Sequence, residues 1–582
     1  MLSQRDRRRM KLILPAYMSL GFLDLLGVVF LGTVATIGFS SVTNDSKPSR
    51  LEVILSSVLP SEISRNTLIV VLTASAISFL LLKTLLQATF DYKYTKFSAR
   101  LESDIASRLY DNILDGEIST INTKTYSEYH YALMVGSNRL VVGIIGPCMS
   151  FIADSFTTVM MFSFALYASP TSTAIVFTVF LLSYLIFNGP ISNKAKNYGI
   201  SGADSYLKIT DVLQESIVGI KEVRVYGKEN LYKNGFKIRK AESSVISQKV
   251  MWMNGIIRYI LEICILLSGS LVAVVSFLTQ DLRQTITITS IFLLIGFRLI
   301  PTVQRLQNSV NSVKISREST RSLFDFLEEF PSKDLAEERE EKFSTSSFAG
   351  ISFNEVSYDI DPHNSILRSI SFELKQNLTL AVVGESGAGK STLVDLLVGL
   401  YKPTRGVVEF KNLADSSKAT SGNFDISFIS QNCALFGTSI YENVTLENTV
   451  SDVDKARIDL ILSDLQLEHL KESSFGVERN IRSNSTNISG GEKQRISLAR
   501  AKFFDRGIIV LDEPTSSLDQ ENEKRIIEYL TEIQHNKTVV VVTHSESLLQ
   551  AADMVLVLNH GKMLFYGSKA KFDSWKLLSD GQ

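Results

Sequence analysis

Cysteine is scarce in this chain of 582 residues: Cys148, Cys264 and Cys433 are the only three, and they lie far apart. They can build neither a disulfide framework nor the paired spacing of a zinc or iron–sulfur site, so they read as free, reduced thiols. An excess of either charge is missing too. The 60 Lys and Arg face 61 Asp and Glu, a net charge of −1, which excludes nucleic-acid binding by bulk positive charge. Arg5, Arg7, Arg8, Arg9 and Lys11 precede an apolar stretch, but it is too long for a signal peptide and no small-residue cleavage site stands out. Beyond Lys342 no segment is long and apolar enough to span a membrane.

What is present is apolar residue in long runs. Hydrophobic residues make up 45% of the chain, with a mean hydropathy of +0.13, which favours a membrane domain joined to soluble structure. Crossing about 30 Å of hydrocarbon takes about 20 apolar residues, because lipid offers no partner to an unpaired backbone. Leu12–Phe39 contains a single charge, Asp24, and Asn66–Phe90 only Lys83. Leu140–Asn193 contains only Asp154 and breaks at Ser169-Pro170-Thr171, predicting two helices over about 140–168 and 171–193. Residues 259–278 and 286–304 complete six spans. Lys and Arg number 5 in the N-terminal tail, 6 in Asp91–Arg139 and 12 in Asn193–Arg258, against four on the other side, Lys47, Arg50, Arg65 and Arg283. The positive-inside rule therefore places both termini in the cytoplasm of a multi-pass membrane protein. The two long connections have few turn residues and helical composition, so the membrane helices are expected to continue into the cytoplasm. This gives a membrane domain over 1–330, a linker over 331–347 marked by the polar, acidic run Pro331–Lys342, and a soluble domain over 348–582.

The soluble domain holds a phosphate-binding loop. The apolar strand Leu378–Val383 leads into Gly384-Glu385-Ser386-Gly387-Ala388-Gly389-Lys390-Ser391-Thr392 and then the helical pattern Leu393–Leu400. Glycines let successive N–H groups turn onto a β-phosphate, the helix points its positive end there, Lys390 bridges the β- and γ-phosphates, and Ser391 ligates Mg²⁺. A second strand, Ile508–Leu511, ends in Asp512 and Glu513. Asp512 suits a contact to Mg²⁺, and Glu513 suits polarising the attacking water in phosphoryl transfer. Together the two elements specify an NTPase.

Between them runs Asn487-Ile488-Ser489-Gly490-Gly491-Glu492-Lys493-Gln494-Arg495. This segment resembles the signature motif of ATP-binding cassette (ABC) proteins, normally Leu-Ser-Gly-Gly-Gln. In that resemblance Tyr358 stacks on adenine, Gln431 is the Q-loop residue contacting Mg²⁺ or water, Ser517-Leu518-Asp519 is the D-loop, and His544 is the switch histidine at the γ-phosphate. Ser489, Gly490 and Gly491 would reach the γ-phosphate of an ATP held by another subunit. Two departures stand out: Glu492 replaces Gln, which implies an altered rate, and Arg482-Ser483-Asn484 replaces a Gly-Glu segment that contacts the membrane domain.

Six spans followed by one cassette resemble an ABC half-transporter of the exporter type. The implied fold is an all-α six-helix membrane domain (type IV exporter-like) followed by an α/β P-loop cassette. One cassette cannot complete a composite site, so the resemblance implies two chains, a homodimer before a heterodimer. Segments around Ile105–Asp115 and Val223–Phe236 are the expected coupling helices.

Ionisable residues within spans point to function. Arg298 and Arg305, seven residues apart on one helical face, with Lys83 and Arg258, form an expected basic surface for an anionic headgroup. Simpler pairings are available: Arg258 with Glu262 one turn on, and Asp24 or Asp154 with another of the cations. The stretch Phe297–Pro301 with Arg305, and Arg258 with Tyr259–Glu262, resemble bacterial flippases for lipid-linked oligosaccharides, although Lys83 stands where those have Arg. The amphipathic segment Leu51–Pro60 resembles their external helix. The reading is an ATP-driven flippase or exporter of a lipid-linked glycan or other anionic amphiphile in a bacterial inner membrane. The alternatives are a drug, peptide or lipid exporter, or an ATP-gated channel or regulatory subunit.

Overall fold

The structure is a computed structural model of the chain that describes residues 4–43, 65–279, 282–331, 348–361, 364–412, 418–420, 426–431, 433–436, 439–470, 488–515 and 520–579. Leu51–Pro60, Arg482-Ser483-Asn484, Ser517-Leu518-Asp519 and the linker beyond Pro331 lie outside the described residues. The chain divides into two units, Met1–Gly116 with Thr120–Lys333, and Glu117–Ser119 with Asp334–Gln582.

The first unit is built on six long helices among the described residues: α1 (Gln4–Thr43), α2 (Arg65–Leu114), α3 (Gly146–Ala168), α4 (Pro170–Val218), α5 (Glu229–Thr279) and α6 (Leu282–Glu329). At 1.5 Å per residue, the 50 residues of α2 run about 75 Å, more than twice a hydrocarbon layer. Among the described residues, four stretches are long and apolar enough to cross a membrane, Gln4–Gly27, Ile69–Leu114, Tyr126–Tyr167 and Glu229–Thr279, with a shorter apolar one at Pro170–Leu185. Large apolar side chains such as Leu81, Leu85, Leu185, Leu266 and Phe277 stay exposed along these helices. The break between α3 and α4 falls at Ser169, whose extended backbone (φ −157°, ψ 101°) is followed by Pro170 at the first helical position.

The segment Ile105–Asp115 is not a separate helix. Phe97, Leu101, Ile105, Leu109 and Ile113 repeat every four residues along α2, and all are buried against Ala132, Leu140, Val141, Leu323, Phe326 and Phe330. Short helices lie instead at Ile118–Ile121 and Ile220–Val225. The chain turns after α2 at Gly116, where a Cβ atom would stand 2.5 Å from the Phe330 ring. Asn112 Nδ2 donates to Phe330 O at 3.1 Å beside it.

The described residues of the second unit form two sheets. An antiparallel sheet is formed by β1 (Phe348–Asp361), β2 (Asn364–Lys375), β4 (Arg405–Asn412) and β5 (Lys418–Thr420) in the order β2-β1-β4-β5. A six-stranded sheet has the order β10-β9-β3-β8-β7-β6, from β3 (Thr379–Gly384), β6 (Ile426–Ile429), β7 (Ile508–Asp512), β8 (Thr538–Val542), β9 (Met554–Asn559) and β10 (Lys562–Ser568). All pairs in it are parallel except β9 with β10. Every residue of β7 and β8 is buried, which explains their unbroken apolar runs. The helices of this unit include α7 (Lys390–Leu397), α8 (Ile440–Thr445), α9 (Asp452–Asp464) and α10 (Gly490–Phe504).

Candidate functional site

Four neighbouring parallel strands, β3, β8, β7 and β6, lead at their C-terminal ends into the phosphate loop, His544, Glu513 and Gln431, where open α/β sheets place their ligands. The loop after β3 takes the left-handed backbone at Gly387 (φ 81°) and Gly389 (φ 96°), conformations that a side chain would strain. Gly389 caps α7, and the buried Lys390 begins it. Its Nζ donates to Gly384 O at 2.7 Å and Glu385 O at 3.0 Å, and lies 3.1 Å from His544 Nε2. The ammonium thus sits inside the concave side of its own loop, where an anion would meet it.

After β7, Glu513 adopts φ 47°, an uncommon backbone for a non-glycine residue and one that clusters at functional sites. Its N–H donates to Val542 O at 3.0 Å on β8. Gln431 Nε2, just past β6, donates to Glu513 Oε2 at 2.7 Å, and His544 Nε2, just past β8, lies 3.7 Å from Oε1. Lys390, Gln431, Glu513 and His544 are therefore one connected cluster. The preceding acid, Asp512, is buried, which raises its carboxyl above the usual range despite the hydrogen bond from Ser391. Its Oδ1 has no hydrogen-bond partner among the described residues.

Tyr358 stacks on Tyr401 with ring centroids 5.1 Å apart. Ser489 caps α10, with Gly490 and Gly491 in its first turn. Asp519, the expected D-loop acid, lies outside the described residues.

Some residues of the cassette escape a sequence reading. Asp395 on α7 is pushed up to about 6 by burial and by the charge of Asp512. Arg500 on α10 donates to Asn443 O at 2.6 Å and Ala434 O at 2.8 Å, tying α10 to the segment that follows Gln431. No spacing in sequence signals either relation.

In the helical unit the four expected cations are paired, and not with one another. Asp24 on α1 lies 3.2 Å from Lys83 Nζ on α2 and also accepts from Arg298 on α6. Asp154 on α3 accepts from Arg305 Nη2 at 2.7 Å and Nε at 3.1 Å. Arg258 on α5 bonds Glu262 one turn on at 2.8 Å. Lys83 and Arg298 come together through Asp24, and Arg305 is held separately by Asp154.

Comparison with known proteins bears on both units. The ABC transporter transmembrane region family matches residues 12–300, and the ABC transporter family matches residues 367–516. Similar curated proteins include an ATP-dependent lipid A-core flippase 2 of Colwellia psychrerythraea, 24% identical over 84% of each chain. Another, an ATP-dependent lipid A-core flippase of Burkholderia orbicola, is 24% identical over 94% of this chain and 91% of its own. A heterocyst differentiation ATP-binding protein of Nostoc is 25% identical over 84% and 80%. Among solved structures, a bacterial Atm1-family ABC exporter with ATP bound superposes with a TM-score of 0.77 at 14% identity, covering 99% of this chain and 97% of the other. A helical membrane domain of exporter fold followed by an α/β cassette, with the two family matches in that order, places this chain in the ABC transporter family, in which the cassette couples ATP hydrolysis to transport.

Proposed function

We propose that the chain is an ATP-driven flippase whose substrate is a lipid-linked oligosaccharide or a similar anionic amphiphile, working as a homodimer in a bacterial inner membrane with both termini and the cassette in the cytoplasm. The observation that carries this is a charge imbalance among apolar helices: three cations, Lys83, Arg298 and Arg305, meet two carboxylates, Asp24 and Asp154. The acids are sealed, with side chains 13% and 12% exposed, whereas Arg298 and Arg305 stay 35% and 53% exposed. Ionisable groups within spans are expensive and mark substrate pathways. A phosphate or pyrophosphate headgroup takes exposed guanidinium faces by charge-assisted, bidentate hydrogen bonds. Arg258 joins this surface only by giving up Glu262. The relatives named as lipid A-core flippases support a lipid as the cargo.

In the cassette, Lys390 and the loop Gly384–Thr392 hold the phosphates of ATP, and Tyr358 meets the adenine. Mg²⁺ fits the residues present, because the buried Asp512 Oδ1 has no hydrogen-bond partner among the described residues and Ser391 already bonds the same carboxylate. Ser391, Asp512 and Gln431 would hold the ion, which supplies charge neutralisation on the phosphates. Glu513 orients the attacking water, His544 contacts the γ-phosphate, Asp519 serves the D-loop, and Ser489, Gly490 and Gly491 act on the nucleotide of the second chain.

The test is the double replacement Arg298→Ala with Arg305→Ala. Substrate stimulation of the ATPase and flipping of the copurifying lipid, identified by mass spectrometry, should both be lost. A variant that moves that lipid at the parental rate would refute the anionic headgroup and favour an exporter of neutral cargo.

A further inference from the structure

Glu492 stands where the family's signature usually has Gln, and the structure shows both of its oxygens engaged. Ser489 Oγ accepts the Glu492 backbone N–H at 3.2 Å, while Glu492 Oε2 accepts the Ser489 backbone N–H at 2.7 Å, a reciprocal cap at the start of α10. The second oxygen, Oε1, lies 2.5 Å from Nε2 of His469, 23 residues away on the short turn Glu468–Leu470. The Glu492 side chain is largely covered, whereas the imidazole is half exposed. Burial opposes ionisation of Glu492, but the hydrogen bonds from His469 and Ser489 outweigh it and hold the carboxyl below its usual range.

The start of a helix is an anion-binding element: its free N–H groups and the helix dipole favour negative charge. A carboxylate in the first turn competes with an incoming phosphate for that field and repels it, and a neutral amide does neither. The acid is compatible with phosphate contact when its charge is turned back onto its own cap and offset there. The cap uses one oxygen, and the imidazole takes the other.

We infer that His469 is a positioning residue for ATP hydrolysis: it anchors Glu492, and through it the Ser489 cap, keeping the carboxylate away from the phosphate that Ser489, Gly490 and Gly491 meet. This rests on the reading of those three residues as γ-phosphate contacts. It makes the requirement for His469 conditional on an acid at position 492, which a merely structural histidine would not show.

The experiment measures steady-state ATPase of the full chain in lipid and detergent, varying MgATP, for His469→Ala in the parental and Glu492→Gln backgrounds. In the parental background kcat should fall about 5- to 10-fold with KM within about twofold, because ATP docks on the Lys390 loop. In the Glu492→Gln background the same change should alter kcat by less than about twofold. His469→Gln, which keeps an N–H donor, should recover about half of the parental kcat or more. Equal losses in both backgrounds, or no loss in the parental one, would overturn the inference. Should His469→Ala fail to fold, His469→Gln and His469→Asn are compared across the same two backgrounds, and equal effects overturn it likewise. Ser489→Ala separates the underlying reading: if that variant hydrolyses ATP at the parental rate, the signature contact itself is wrong, whatever His469 does.

Discussion

Gln431 donates from Nε2 to Glu513 Oε2 at 2.7 Å, so the side chain read as a contact to metal or water is in hand with the carboxylate read as the water's base. His544 approaches the other oxygen, and the backbone of Glu513 is held at φ 47° by the Val542 carbonyl. Glu513→Gln keeps this shape and removes the charge that polarises water. Turnover should fall about 100-fold or more while nucleotide binding survives. ATPase assays beside binding of a fluorescent nucleotide check it, and unchanged turnover would remove Glu513 from the chemistry.

If Ser489 acts on a nucleotide bound to the Lys390 of a second chain, two inactive variants complement each other. Mixed dimers of Ser489→Ala and Lys390→Ala chains contain one composite site with both residues intact. ATPase activity should rise in the mixture above either variant alone, reaching about a quarter to a half of the parental rate if one site suffices. Absence of any gain in verified mixed dimers argues against action in trans.

Asp24 is shared by Lys83 and Arg298 across three helices. Breaking a buried ion pair costs about 3–5 kcal/mol, and less where a partner reaches solvent as Arg298 does. Asp24→Asn should therefore lower the thermal midpoint of the detergent-solubilised chain by several degrees. Lys83→Met in the same chain should recover much of the loss, since it removes one of the two orphaned cations. A single variant that melts with the parent would show that Asp24 does not stabilise the helices.

Asp395 gives a pH dependence with a definite sign. Its folded pKa of about 6 exceeds the ordinary value of about 3.9, so the folded cassette binds this proton more tightly than the unfolded chain. The contribution is full below pH about 4 and is lost as the pH rises through about 6. Asp395→Asn abolishes it, so the variant should gain on the parent between pH about 4.5 and about 7. Trp575, packed 5.3 Å from Phe565, reports cassette unfolding by fluorescence when Trp252, the other tryptophan, is replaced by Phe. A difference that does not change with pH would refute the assignment.

Much of the cassette was legible because its chemistry is local. A strand, a glycine loop and a helix N-terminus are contiguous, so Gly384–Thr392 could be read in one pass, and Asp512 and Glu513 follow an apolar run whose complete burial explains its composition. Ile105–Asp115 misled for the opposite reason. Its charged residues mark a solvated face, while Ile105, Leu109 and Ile113 form a core stripe that only the packed partner Phe330 makes evident.

The long helices of the membrane domain, the phosphate loop, the strand-end carboxylates and the order of the two units are legible in the amino-acid sequence, since each depends on residues close together along the chain. Which charges meet is set by packing: Asp24 with Arg298 across 274 positions, Asp154 with Arg305 across 151, and His469 with Glu492 across 23. Coulomb attraction falls with distance in space and grows as water is excluded, and neither quantity is written in sequence separation.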